Sequence, residues 1–317
     1  MKLYYRITGG TAEIVRCFGT DSKIEIPEQV GGLPVRRIAP YAFSARKEKE
    51  ETDVLVFETA GTGLFRQEEG LLAGDNVESV VFPDGLEEIG RYIFYGCRHL
   101  KELSFSDSLV NIGSGAFTGC RELERLCVRL KRGEKSCVSE ILGDLWQRID
   151  VTFQKEESTA KLVFPEHYEE AVENTPARLL FTQHHGSGNN YRQCFYGKEM
   201  DYRKYDELFY LAKSQDKISV IADMVFSRLL YPVELMEEAR KCYEEYIREN
   251  GARVAEHLIR CGELRALREM SERNLWSEGA LDAAIEYAAV KGQREVLSVI
   301  MDEKHKMFPG KKEKYEL

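Results

Sequence analysis

Proline is scarce in this chain, with 8 in 317 residues, and there is no Pro- or Ser-rich stretch to serve as a long disordered linker. No Asn-x-Ser/Thr sequon and no Cys-x-x-Cys pair occurs, so the 8 cysteines are expected to be free and mostly buried thiols. No run approaches the ~18 apolar residues of a membrane span. The opening Met1-Lys2-Leu3-Tyr4-Tyr5-Arg6-Ile7 turns polar too soon for the apolar core of a signal peptide. These absences point to the cytoplasm and to no membrane partner. Positive charge is also in deficit: 45 Lys and Arg face 54 Asp and Glu, a net charge of -9 that repels a polyphosphate, so nucleic acid is not an expected partner.

What is present suits two folded domains, since 317 residues exceed one ordinary core of ~150 and the apolar share of 43% with 31% charged is that of a folded globular chain. The first domain is expected over 1–150, with a capping strand and junction loop over 151–200 and a helical domain over 201–317. Charge runs such as 47–51 and 311–314 are expected to be solvated surface.

The strongest signal is a self-match. Residues 77–97 and 100–120 superimpose with a constant offset of 23: Val77, Val80, Phe82, Leu86, Ile89-Gly90, Phe94 and Gly96-Cys97 return as Leu100, Leu103, Phe105, Leu109, Ile112-Gly113, Phe117 and Gly119-Cys120. A further turn starts at Leu123, Leu126 and Val128. An earlier copy reads Ile24, Ile26-Pro27, Val30, Ile38 and Ala42-Phe43, stretched by 31–35, with Pro27 answering Pro83. Between Ser44 and Val77 the match fades, which suggests a degenerate copy carrying a surface loop. A fixed period in the twenties means stacked units, none of which can bury its apolar side alone. Alternation after Leu103 suits a short strand, Gly113 and Gly119 supply corners where a Cβ would crowd the bend, and Phe94 and Phe117 should stack inside.

Ile26-Pro27, Ile38-Ala39-Pro40-Tyr41-Ala42-Phe43 and Ile112-Gly113-Ser114-Gly115-Ala116-Phe117-Thr118-Gly119-Cys120 resemble the BspA-type leucine-rich repeats of bacteria over roughly 20–130. That resemblance implies a curved β-solenoid used for protein binding, often at cell surfaces.

From about Asp201 the texture becomes amphipathic and helical, with helices expected at 205–215, 218–230, 232–250, 252–261, 264–273, 278–291 and 294–304, Pro232 serving as a first-turn proline. A second offset, of 30, maps Arg260-Cys261-Gly262 onto Val290-Lys291-Gly292, Leu267 onto Leu297 and Met270 onto Ile300. Ala288-Ala289-Val290-Lys291-Gly292-Gln293 is similar to the helix-turn-helix core of ankyrin repeats. The fold class expected is therefore an α+β two-domain repeat protein: a β-solenoid of about 23-residue leucine-rich repeats, then an all-α domain of ankyrin-like helical hairpins.

For chemistry the best cluster is His184, His185 and Cys194, near a Gly186-Ser187-Gly188 loop. Ordered ligand spacing and a fourth ligand are missing, so a junction loop is favoured over a metal site or an enzyme. Cys97 and Cys120 share one repeat position and read as core fillers, and Trp146 and Trp276 read as core residues. The function expected is a non-catalytic scaffold needing no cofactor and binding a protein or peptide, with outward strand positions Glu78, Ser79 and Val81, then Lys101, Glu102 and Ser104, then Glu124, Arg125 and Cys127. An enzyme or metal site at the junction, and an exported adhesin lacking its leader, are the alternatives.

Overall fold

The computed structural model describes residues 1–46, 53–58, 69–174 and 179–308, so the charge runs 47–51 and 311–314 lie outside the described residues. The chain forms two compact units, Met1–Leu208 and Phe209–Leu317.

The first unit opens with a hairpin of β1 (Lys2–Thr8) and β2 (Thr11–Gly19), whose alternation turns Leu3, Tyr5, Ala12, Ile14 and Cys17 inward. Then come β3 (Lys23–Glu25), β4 (Gln29–Val30) and β5 (Leu33–Ile38), with β5 parallel to β2 and Ile38 opposite Ile14. The next strands, β6 (Leu55–Glu58) and β7 (Gly70–Leu71), run antiparallel to β1 and β2. Where a degenerate repeat strand was expected within 44–77, the described strands β6 and β7 pair with the N-terminal hairpin instead, and β8 (Ser79–Val81) joins β3 directly, Ile24 opposite Val80.

Stacking then proceeds through β9 (Glu88–Ile89), β10 (Glu102–Ser106), β11 (Asn111–Ile112), β12 (Arg125–Arg129), α1 (Val138–Gly143), β13 (Ile149–Gln154) and β14 (Thr159–Phe164). Among the described residues the long sheet has the order β14-β13-β12-β10-β8-β3, parallel except for β14. A shorter parallel ladder, β5-β9-β11, lines another side. Between them Phe43, Phe94 and Phe117 stack at 5.2 and 5.9 Å between ring centroids. Cys97 and Cys120 fill the adjoining position as expected, each thiol donating to the carbonyl of the phenylalanine one turn earlier, Phe43 at 3.2 Å and Phe94 at 3.4 Å.

Glycine at the corner is demanded by space. A Cβ on Gly113 would lie 2.1 Å from the Arg91 backbone nitrogen, and one on Gly90 would lie 2.3 Å from that of Pro40. Gly113→Ala should therefore cost about 2–3 kcal/mol, because backbone of the neighbouring turn must move. Gly143→Ala, with nothing within 4 Å of the added Cβ, is the control and should be neutral or mildly stabilising in urea unfolding. Equal midpoints for the two variants would refute the stacking argument.

The stretch after β14 belongs to the first unit. It holds the two-stranded pair β15 (Tyr168–Asn174) and β16 (Leu179–His185), then α2 (Gly188–Tyr191), β17 (Phe195–Tyr196), β18 (Glu199–Met200) and α3 (Tyr202–Glu207). Asp201 caps α3 by accepting from the Lys204 N–H at 2.8 Å. The helix then sets Tyr205 against the open edge of β14, where its hydroxyl accepts from the Val163 N–H at 3.1 Å and donates to the Val163 carbonyl at 2.7 Å. One side chain thus satisfies both backbone groups of a residue on a sheet edge.

The second unit contains α4 (Phe209–Gln215), α5 (Ile218–Leu230), α6 (Glu237–Cys261), α7 (Leu264–Glu272), α8 (Glu278–Val290) and α9 (Arg294–Met307). Pro232 is not a first-turn proline: the chain turns through 231–235 and α6 begins only at Glu237. The break expected between 232–250 and 252–261 is there: α6 is two helical segments joined across a kink at Asn250, whose backbone is non-helical and whose side chain donates to the Tyr246 carbonyl at 3.0 Å. Gly262 and Gly292 end α6 and α8 alike. Both have positive φ, and the following residues, Glu263 and Gln293, donate back to Leu258 and Ala288 at 2.9 and 3.0 Å. His257 of α6 bonds Asp223 of α5 at 2.7 Å. Trp276 is buried, whereas Trp146 is 57% exposed, contrary to its expected place in the core.

Candidate interaction surface

The outer face of the long sheet is set by register. Ser79, Glu102 and Arg125 lie side by side, flanked by Lys23 on β3 and Asp150 on β13. In the next row Val81, Ser104 and Cys127 lie between Glu25 and Thr152. Glu78, Lys101 and Glu124 stand one residue ahead of their strands, at the entry corner, where Glu78 and Lys101 accept backbone hydrogen bonds from the turn that follows. The register thus sets six of the nine expected positions in two rows, with Glu78, Lys101 and Glu124 at the corner before them, and the nine are not equally available.

Arg125 is committed within the face, reaching Glu102 at 3.1 Å and also Glu124. Ser104 is only 6% exposed, because Arg129 lies across it, donating to its hydroxyl and at 2.7 Å to the Phe82 carbonyl. Ser104 thus leaves the set of freely presented residues. Cys127 is half-buried, and burial pushes its thiol up.

Sequence reasoning missed the charged corner at the far end of the strands. Asp84 receives Arg129 and Lys131 together. Burial raises its carboxyl, but hydrogen bonds from Lys131 and Arg129 outweigh this and hold it below the usual aspartate range. The 23-residue offset did carry the signal, since Asp84 returns as Asp107, whose carboxylate accepts from the N–H groups of Arg132 and of Gly133, the latter at 3.0 Å. The copy before offers Glu28, which accepts from the Asp84 N–H at 2.8 Å.

The junction residues do not converge. His184 and His185 are successive residues of β16, so their side chains leave opposite faces. They face Glu169 and Glu170 across the hairpin at 3.4 and 3.2 Å, and the His185 ring stacks on Tyr168 at 4.5 Å. Cys194 is buried away from both, and burial pushes its thiol up to about 12, leaving no nucleophilic thiolate at neutral pH. Among the described residues no three His, Cys, Asp or Glu side chains are grouped to hold a metal ion. What the loop carries is Arg192, whose guanidinium donates to the carbonyls of Leu142, Leu145, Gln147, Pro165 and Gly188 at 2.6–3.1 Å.

Residues 68–140 match the model of the BspA type leucine rich repeat region. Among solved structures, the chain is similar to a leucine rich cell surface protein from Faecalibacterium prausnitzii A2-165, with 24% identity, 42% of this chain and 29% of that chain covered, and a TM-score of 0.28. It is also similar to the leucine rich repeat protein of T. pallidum, with 20% identity, 39% and 67% covered, and a TM-score of 0.22. The chain spans under a third of the first of these proteins, and no curated protein matches. Within the β-solenoid, then, residues 68–140 carry repeats of the BspA leucine-rich type.

Proposed function

We propose that this chain is a non-catalytic scaffold that binds a protein or peptide over the outer face of its long sheet. The observation that carries this reading is the register: exposed Lys23 and Arg125 and half-buried Ser79, Glu102 and Asp150 stand in one row at the spacing of adjacent strands, on a backbone held by ladders on two sides. The mixed charges of that row suit a polar partner surface of mixed charge better than a polyanion. The matched hairpins α6–α7 and α8–α9, with their equivalent glycine caps, support reading the second unit as ankyrin-like, adding an interaction module of its own. Core thiols that act as hydrogen-bond donors, Cys97 and Cys120, fit a reducing compartment, and we place the protein in the cytoplasm.

The test exchanges charges without altering their sum. Partners captured from cells of the source organism with the parent chain are identified, and the affinity of the most enriched one is measured against the Lys101→Glu/Glu124→Lys double variant. A loss of about tenfold, equivalent to ~1.4 kcal/mol and shrinking at high salt, is expected. His184→Ala/His185→Ala should bind as the parent does. The reverse pattern would move the binding site to the junction.

A further inference from the structure

The short ladder β5-β9-β11 stops at an edge that the chain's own repeat would be expected to cover. Each turn donates to the one before it: Glu87 and Gly90 donate to the carbonyls of Arg36 and Ile38, and Asn111 and Gly113 donate to those of Glu87 and Ile89. Asn111 and Gly113 face β9, so strand alternation turns the N–H and C=O of Ile112 outward, as Ile89 turns its carbonyl toward β11. The residue 23 positions after Ile112 is Lys135, which should form the next rung. It is diverted instead: Lys135 bridges to Glu199 and the Ser136 N–H donates to the Lys198 carbonyl at 3.0 Å, while α1 takes the place of a strand. Outside the strand ladders, no backbone N–H among the described residues reaches the carbonyl of Val110 or Ile112.

The gap so created is a groove of about 520 Å³, lined on one side by the backbone of 110–115 and on the other by Glu140 and Asp144 of α1 and its cap, with Lys198. Glu140 is neutralised by Lys198 at 2.6 Å. Asp144, exposed at the groove wall, has no ion-pair partner among the described residues, and partial desolvation there raises its carboxyl. Val110, half exposed, gives the rim an apolar contact.

We propose that this edge is a docking site for an extended segment of another protein, which adds to β11 as the missing parallel rung and sets a lysine or arginine against Asp144. An open strand edge contributes affinity through the main chain, and the groove wall selects the side chain that faces it. The site lies on a different ladder from the sheet face above and does not depend on that reading.

The probe is a synthetic capped peptide, Ser-Val-Thr-Lys-Thr-Val-Ser, titrated against the full chain while backbone amide exchange is followed by NMR. In the free protein the Gly113 amide should be protected and the Ile112 amide should exchange fast. Saturable binding with a Kd of about 100 µM or tighter should slow Ile112 exchange at least about tenfold. A glutamate in place of the peptide lysine, or Asp144→Lys in the protein, should each weaken binding about tenfold. Lysine at the C-terminal end of α1 is favoured by the helix dipole, so that variant folds. A peptide N-methylated at alternate amides should not bind. Lys101→Glu/Glu124→Lys should bind the probe unchanged, which separates this site from the sheet face. Absence of saturable binding, binding without protection at Ile112, or indifference to Asp144→Lys would each overturn the proposal. So would an Ile112 amide already protected in a self-associated form, which would make a second copy the occupant.

Discussion

Arg192→Met should cost the first unit about 3–5 kcal/mol, although the substitution removes no ion pair. Arg192 is 8% exposed and five carbonyls share its guanidinium, including those of Leu142, Leu145 and Gln147 where the chain leaves α1 and enters β13. Burial lowers its pKa to about 10, which still leaves it charged at neutral pH, where the carbonyl dipoles compensate the charge. Methionine matches the length of the stem but supplies no donor, so several buried carbonyls lose their partner at once, each at ~1–3 kcal/mol before relaxation and water entry reduce the sum. Arg192→Lys keeps the charge but cannot reach carbonyls spread around a planar fork, and should recover less than half of the loss. Chemical denaturation of the full chain carrying Trp276→Phe, in the parent and the variant alike, followed by tryptophan fluorescence from Trp146 beside this loop, reads the effect. A midpoint for Arg192→Met within experimental error of the parent would mean that the junction is held by something else.

The solenoid was legible because its information is periodic. Once Val80 and Phe82 return as Leu103 and Phe105, and Ile89-Gly90 as Ile112-Gly113, the inward positions, the corner and the parallel pairing of β8, β10 and β12 follow from one offset. The helical unit was legible for a similar reason: a period near 3.6 marks each helix, and Gly262 and Gly292 mark two ends. What escaped has no period. The stretch 44–77 fades out of the repeat, and nothing local says that Leu55 and Val56 will pair with Tyr5 and Tyr4 of the N-terminal hairpin. Pro232 is compatible with a first helical turn and equally with the turn it adopts. Arg192 is a single residue whose partners lie up to 50 positions away.

The face itself shows the same division. Strand alternation placed Ser104 outward, but its availability is decided by Arg129, 25 residues on, which reaches back over it. Spacing gives the direction of a side chain, whereas accessibility depends on long neighbours from the next turn. His184, His185 and Cys194, weighed only as the alternative to a junction loop, show the limit of spacing from the other side. Proximity in sequence suggested a cluster, and a strand followed by a tight loop separates them.

Phe94→Ala should be among the most costly single truncations in the solenoid, at about 4–5 kcal/mol, and its cost should exceed that of Phe117→Ala. The two rings occupy one repeat position, so chemistry and local backbone are matched and only their place in the stack differs. Phe94 is 0% exposed, lies between the rings of Phe43 and Phe117, meets Phe82 at 6.2 Å, and its carbonyl takes the Cys120 thiol. Phe117 is 3% exposed and stacks on Phe94 alone among the aromatic pairs formed by described residues. Removing the middle ring opens a cavity bounded on both sides by rings whose backbone is held, the Phe43 N–H donating to the Ile93 carbonyl and the Phe117 carbonyl accepting from the Cys120 N–H, so collapse is hindered. The void at Phe117 has one such wall fewer and can be filled from the loop side. The double variant Phe94→Ala/Phe117→Ala should then cost less than the sum of the singles by at least about 0.5 kcal/mol, because the two share one contact and one cavity. Urea unfolding of the four proteins closes the cycle. Equal single costs, or strict additivity, would mean that the rings act as separate anchors and that the stack is not the unit of stability.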